Sequence, residues 1–446
     1  MKREHLLTGL SLIFAAALVC TGCPQPSNPG GLKPGVKPDN PDKPVINIAK
    51  KNVNGEPEFN YVYIEIDRND PRVAMGYVLD DGKQTPFFDM VHLFNATIRN
   101  RDCSKEIPTT SHACTKSGLH LHFNGNIQTL LSNRDKYLKP LQDKGIKVGL
   151  GLLEDHDGVG YGILGSWPME SMAPVSGNPA WSGGYPYDEA ARTKFLREVA
   201  DVIEYYNLDG VDFDDEWGSK APENQLYNYL WPDRVYTGTN EQKDAAREEI
   251  GRNIALCAAE LRSMVGQDKI ITIYDYKAGG WLPETVTFNG ETKPIREIIN
   301  YTGSAFYGSW FNNYSGGESK FPKTQYCPVS MDLGGDSPDT NQRARPSPFG
   351  ANSITEQMKR HLNGGYGVNM FYNLMNRGRY DGTFTHQTDG AGAISRALFY
   401  NDSSSFIPQK NMPETYLSRI SQVLFGTDVT YVGPDYPQDW PRWTPE

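Results

Sequence analysis

The chain has 446 residues, with 44 basic against 54 acidic side chains and a formal net charge of -10. That length exceeds one small domain and fits a single large α/β barrel or two mid-sized domains. The acidic balance excludes nucleic acid or an anionic membrane surface as the main partner, since either demands a basic patch, and a hydrophobic share of 38% excludes a disordered chain.

Residues 1–22 read as a signal peptide: Lys2 and Arg3 precede an apolar run from Leu10 to Val19 that is too short and too early for a folded element. The small residues Thr21 and Gly22 before Cys23 resemble a bacterial lipobox. That implies a lipidated Cys23 and a place in the envelope of a Gram-negative bacterium, at the outer membrane. An ordinary signal peptide with an incidental cysteine is the alternative. Residues 23–58 carry Pro24, Pro26, Pro29, Pro34, Pro38, Pro41 and Pro44, and read as an extended tether that cannot form a core. Folded sequence is expected from Phe59 to Glu446, as one domain. Export permits disulfides, and Cys103 and Cys114, close together in a polar segment, are the expected pair. Cys257, in a helical pattern, and Cys327, beside a strand, are expected to be packed thiols.

From Phe59 the chain repeats a short apolar strand, a loop and an amphipathic helix. Strands are predicted at Tyr61–Ile66, Met90–Ala96, Lys147–Leu153, Gly210–Phe213, Ile270–Tyr274, Ser304–Tyr307, Gln325–Met331 and Gly367–Tyr372. Helices are predicted at Ile127–Lys144, Asp188–Tyr206, Asn240–Val265, Ile295–Asn300 and Ile354–Asn363. Asp143-Lys144-Gly145 and Asn363-Gly364-Gly365 are helix stops, each followed by a buried strand. Eight strands in this rhythm predict a parallel sheet closed as a single (β/α)8 TIM-type barrel with long strand-to-helix loops. A doubly wound open sheet is the alternative. It would place a Gly-rich phosphate loop where Asp67-Arg68-Asn69-Asp70-Pro71 stands.

Barrel enzymes carry their chemistry at the C-terminal ends of the strands. There the most informative segment is Asp209-Gly210-Val211-Asp212-Phe213-Asp214-Asp215-Glu216-Trp217. Strand side chains alternate, so Asp212, Asp214 and Glu216 share one face while Val211 and Phe213 share the other. Three acids about 6–7 Å apart on a buried face are costly unless they share protons, so at least one raised pKa is expected. Glu216, nearest the mouth and longest, is the natural general acid. A solvated acidic edge or a Ca²⁺ loop is the competing reading. The regular Val and Phe argue against the first, and the missing turn glycine against the second. Asp209 and Asp215 read as structural. His120 and His122 share a strand face, but no Cys/His spacing marks a zinc site, and no cofactor is called for.

The ladder resembles the DGxDxDxE signature of glycoside hydrolase family 18, and the longer string from Asp209 to Glu216 is similar to the version in bacterial endo-β-N-acetylglucosaminidases of the endoglycosidase H type. His120-Leu121-His122-Phe123-Asn124 agrees with that group in order and spacing. So do Gly149-Leu150-Gly151-Leu152-Leu153 followed by Asp155-His156-Asp157-Gly158, Phe306-Tyr307-Gly308-Ser309-Trp310, and Tyr366-Gly367-Val368 leading to Tyr372-Asn373-Leu374. The resemblance implies cleavage of the GlcNAc–GlcNAc core of N-linked glycans with retention of configuration. The substrate's own acetamido oxygen would attack, through an oxazolinium intermediate and without an enzymic nucleophile, unlike the usual two-carboxylate scheme. It assigns Glu216 as acid/base, Asp214 to the acetamido N–H, Asp212 to electrostatic coupling with Asp214, and Tyr307 to the acetamido oxygen. Asn373 is then a polar contact at the mouth and Tyr372 packing. No Trp follows closely on the last strand to floor the sugar, and Trp310 is one residue that could stack instead.

Aromatic, turn-rich loops read as sugar-stacking surfaces, with Trp181 in residues 165–187 and Trp217 directly after the ladder. His156, at a strand end, is a candidate glycan contact. The partners expected are an N-glycan or glycoprotein and other glycan-uptake proteins. A chitinase, or a catalytically silent glycan-binding barrel, is the alternative function. The intact ladder favours an enzyme, because a binder has no use for proton-sharing acids.

Overall fold

The structure is a computed structural model. It describes residues 50–66, 69–100, 116, 118–123, 126–153, 188–214, 239–275, 282–304, 320–333, 353–372, 374 and 412–433. The first half holds β1 (Phe59–Glu65), β2 (Tyr77–Leu79), β3 (Met90–Asn100), β4 (Leu119–Phe123), and three short helices, α1 (Ile127–Ser132), α2 (Arg134–Tyr137) and α3 (Lys139–Asp143). It continues with β5 (Lys147–Leu153), α4 (Glu189–Tyr205), β6 (Gly210–Asp214), α5 (Asn240–Val265) and β7 (Ile270–Asp275). The hairpin β8 (Thr285–Phe288) and β9 (Glu291–Pro294) leads to α6 (Ile295–Ile298) and β10 (Tyr301–Ser304). β11 (Tyr326–Cys327), β12 (Ser330–Asp332), α7 (Ile354–Gly364), β13 (Val368–Tyr372), α8 (Met412–Leu424) and β14 (Val429–Tyr431) follow.

The main sheet runs β11-β10-β7-β6-β5-β3-β1-β13-β12, parallel throughout. Only Pro328 and Val329 separate β11 from β12. β11 pairs with β10, and β12 with β13, so residues 326–332 fill one position and close the ring with eight. Pro328 has no amide hydrogen to donate, which breaks the ladder at that point. The predicted barrel is therefore the fold. Its sixth strand lies earlier than expected: β10 covers Tyr301–Ser304, and residues 305–307 are outside the described residues. The helix expected over Ile127–Lys144 is three short ones, broken at Asn133 and again ahead of Pro140, which cannot continue the amide ladder. Helix α7 starts on Ser353, whose side chain accepts from the Glu356 amide, and stops at Gly365 with φ 73°.

Alternation along each strand sorts the core into two layers. Val62, Ile64, Val91, Leu93, Val148, Leu150, Val211, Phe213, Ile271 and Ile273 point outward and pack with Phe195, Leu196 and Val199 of α4 and with Ile254, Ala258 and Leu261 of α5. Cys257 is buried in this layer. The helices are tied by Arg192 Nε, which donates to Glu260 Oε2 at 2.7 Å with both side chains buried. Phe59, Tyr61, Tyr63, Met90, Ile270, Tyr274, Tyr301, Cys327, Val368 and Met370 point inward and fill the barrel.

Folded structure begins upstream of the expected boundary at Phe59. Lys50 is buried, its ammonium 2.9 Å from Asp89 Oδ2 and donating to the Pro86 and Phe87 carbonyls. Asn52 Nδ2 donates to the fully buried Glu58 at 3.1 Å, and the Val53 amide bonds the Leu424 carbonyl of α8. Residues 50–58 thus lie at the N-terminal ends of the strands as part of the body, because buried polar groups there need these partners. Burial lowers the Lys50 pKa and raises that of Asp89, so each charge depends on the other. Replacing Lys50 with Met strands the Asp89 carboxyl and is expected to cost about 3 kcal/mol. A thermal melt at neutral pH checks this, and an unshifted midpoint would contradict it.

Candidate active site

The inner face of β6 carries Asp212 and Asp214, with relative exposures of 0% and 4%, while Val211 and Phe213 face the helices as predicted. Asp212 is the register partner of Gly151 on β5 and of Thr272 on β7. The Thr272 hydroxyl donates to Asp212 Oδ1, a cross-strand pair inside the barrel. Thr272 Oγ1 lies 3.2 Å from His92 Nε2 on β3. Since Thr272 spends its hydrogen on Asp212, His92 carries its proton on Nε2 and donates to Thr272. The Tyr63 hydroxyl approaches the same carboxyl group, although among the described residues Asp212 Oδ2 has no partner within full hydrogen-bond geometry.

His92 reaches this far because two strands lack side chains in its path. Its register partner on β5 is Gly149, whose own partner on β6 is Gly210. A Cβ on Gly149 would sit 2.4 Å from Met90 Cε and 2.7 Å from His92 Nδ1, and one on Gly210 only 2.2 Å from the Ile270 carbonyl oxygen. The imidazole is then clamped by aromatics. Tyr63 stacks on it with centroids 5.2 Å apart and planes at 25°, and Tyr61 meets it edge-on at 5.6 Å.

Burial dominates the electrostatics. It pushes Asp212 up to about 7, against the opposing hydrogen bonds from Thr272 and Tyr63. It pushes His92 down to about 3, so the ring is neutral at physiological pH. Burial also raises Tyr61 and Tyr63 well above the ordinary phenol value, keeping both hydroxyls protonated. Asp212 can therefore hold a proton near neutrality, while Asp214 stands two residues higher on the same face, roughly 6–7 Å along the strand. A proton store below a second carboxyl is what acid/base chemistry at the mouth requires.

Of the residues expected at the site, the structure brings Asp212 and Asp214 together. Glu216, Trp217, Tyr307, Trp310, Asn373, His156 and Trp181 lie outside the described residues, as do Cys23, Cys103 and Cys114. Asp209 is structural as expected: its Oδ2 accepts from the Val148 amide at 2.8 Å and from Gln142 Nε2 at 2.9 Å. His120 and His122 are buried in β4, which pairs antiparallel with β3, and His120 Nδ1 lies 2.7 Å from the Gly118 carbonyl oxygen. Tyr372, read from sequence as packing, also donates its hydroxyl to Glu65. Sequence reasoning missed His92, Thr272, Tyr63 and Glu65. All four lie in inward phase on predicted strands, so carrying the alternation across every strand would have found them.

No protein-family model matches the chain. It is 30% identical over 261 residues to endo-beta-N-acetylglucosaminidase F1 of Elizabethkingia meningoseptica, a match covering 57% of this chain and 60% of that protein, less than two thirds of its length. It is 25% identical over 313 residues to an endo-beta-N-acetylglucosaminidase of Flavobacterium sp. (strain SK1022), covering 70% of this chain and 74% of that one. The chain is similar to bacterial endo-β-N-acetylglucosaminidases. In fold it resembles Bacteroides thetaiotamicron EndoBT-3987, solved with a Man5GlcNAc product, with TM-score 0.50 and 20% identity over 88% of this chain and 66% of that one.

Because the folded state binds the Asp212 proton more tightly than the unfolded chain, this group erodes stability as pH rises from its ordinary value near 3.8 to about 7. Asp212→Asn has no such titration. The variant is expected to gain on wild type across that window, by on the order of 4 kcal/mol, and to hold its advantage above it. Urea unfolding of both proteins at pH 4 and pH 8 measures the difference. A pH-independent gap would show that Asp212 does not titrate there.

Proposed function

We propose that the protein is an endo-β-N-acetylglucosaminidase that hydrolyses the GlcNAc–GlcNAc core linkage of N-linked glycans with retention of configuration. The observation that carries this reading is the inward pair Asp212 and Asp214, with Asp212 pushed up to about 7 in a dry barrel. The similarity to the two endo-beta-N-acetylglucosaminidases supports the activity. EndoBT-3987, which shares the fold, is solved in complex with a Man9GlcNAc2Asn substrate, and that supports an N-glycan as the substrate here.

In this proposal Glu216 protonates the leaving glycosidic oxygen and later activates water. Asp214 holds the acetamido N–H, so that the acetamido oxygen can close on the anomeric carbon as an oxazolinium ion. Asp212 takes or releases the proton that lets Asp214 carry negative charge at that moment, and Tyr307 bonds the acetamido oxygen. Asn373, Trp310, Trp217, Trp181 and His156 contact the glycan. A signal peptide over residues 1–22 and a lipid on Cys23 would place the enzyme in the cell envelope, at the outer membrane, where other glycan-uptake proteins would take its product.

Mass analysis of an N-glycosylated protein after incubation with the purified enzyme is expected to show one GlcNAc retained per site. Chitin cleavage without glycan release would sink the assignment. Glu216→Gln is expected to fold normally and to lose turnover by about 10³-fold or more. For the anchor, expression in a Gram-negative host is expected to put the full chain in the detergent-extracted membrane fraction. Cys23→Ala should move it to the soluble fraction, and an unchanged distribution would remove the lipid.

A further inference from the structure

A second inward carboxylate stands at the mouth. Glu65 is the last residue of β1 and continues the inner face of Phe59, Tyr61 and Tyr63. Glu65 stands two residues above Tyr63 on the inner face of β1, as Asp214 stands two residues above Asp212 on the inner face of β6. β1 is three strands away from β6 in the ring, through β3 and β5, and the two carboxyl groups therefore lie on different walls of the mouth. Glu65 accepts from the Tyr372 hydroxyl on β13. Tyr372 in turn meets Phe94 edge-on, centroids 6.2 Å apart, and Phe94 is the register partner of Glu65 on β3. Glu65, Phe94 and Tyr372 are all only partly buried, unlike the residues beneath them.

Such a set has the chemistry of a sugar contact. A carboxylate offers about four lone-pair sites and accepts well from hydroxyl groups. Phe94 supplies flat apolar area for pyranose C–H groups. The Tyr372 hydroxyl fixes the carboxylate before a ligand arrives, which lowers the ordering cost of binding. We propose that Glu65, oriented by Tyr372 beside Phe94, is a binding contact for hydroxyl groups of the glycan at the barrel mouth. This deepens the reading given above and rests on it for the class of ligand. Glu65 and Tyr372 are thus specificity-determining and positioning residues, not catalytic ones.

The test uses the full chain and two readouts. Calorimetry with a mannose oligosaccharide ending in one GlcNAc reads binding without hydrolysis, and glycan release from a glycoprotein reads KM. Glu65→Gln is expected to weaken binding about 10-fold or more and Tyr372→Phe about 3-fold, with the same factors in KM. A Glu65→Gln protein that melts like wild type and binds the oligosaccharide equally well would overturn the proposal, as would a wild type that does not bind it. Should Glu65→Gln fail to fold, Tyr372→Phe carries the test, and unchanged affinity there overturns it. Glu65-dependent binding without any glycan release would sink the hydrolase reading and leave the contact standing.

Discussion

The site rests on one constraint: a carboxyl group, Asp212, held where water does not reach. An ionised carboxylate there loses its hydration, and the protein returns only the Thr272 hydroxyl and the approach of Tyr63. Those donors soften the loss without cancelling it, which leaves the group near 7 instead of near 3.8. A cation would have cancelled it. The nearest candidate, His92, is disarmed by the same burial, since desolvation keeps its ring neutral. The relay from His92 through Thr272 to Asp212 therefore orients the carboxyl without pairing its charge, and a proton remains available to the acids above.

That arrangement depends on what the barrel omits as much as on what it supplies. Gly149 and Gly210 clear two successive strands, and tyrosine rings fill the space around the imidazole, so His92 has one place to lie. At the N-terminal ends of the strands the polar groups are cross-linked in a different style. The Glu58 carboxylate takes His361 Nε2 and Asn369 Nδ2 at 2.7 Å each, and Arg262 binds three backbone carbonyls and the Asn300 side chain. Cross-linked networks of this kind rigidify, and the Asp212 carboxyl sits above them, toward the mouth. The barrel thus separates a cross-linked floor from an inner face whose buried carboxyl has a raised proton affinity.

How legible this was varied with the kind of signal. The carboxylate ladder was readable because period-two alternation is local: Asp212 and Asp214 against Val211 and Phe213 can mean only one inward and one outward face. Cys257 was readable as a packed thiol from a helical apolar pattern, and Cys327 from its place beside a strand. Tyr372 packs against the inner cluster as read, but its bond to Glu65 was missed because that partner is 307 positions away, and no local pattern announces a hydroxyl meeting a carboxylate across strands. Lys50 was read as tether because it follows a run of prolines that ends at Pro44, whereas its place is set by Asp89 and the Phe87 carbonyl just before β3. The second half of the barrel's closure was half visible. A strand over residues 325–331 was predicted, but the split at Pro328 and its two different partners were not.

The sequence by itself determined the eightfold strand-helix rhythm, the direction each ladder residue faces, and the presence of three acids in one phase. These follow from hydrophobic periodicity and from the geometry of an extended strand, which need no partner. Only the tertiary structure decided which side chains meet: His92 with Thr272, Thr272 with Asp212, Tyr372 with Glu65. Closing the ring sets those pairs, because strand tilt and register bring together residues that stand far apart in the chain. The proton affinity of Asp212 belongs to the second class as well. It is a property of the dry space around the carboxyl, and that space exists only once the eight strands have closed.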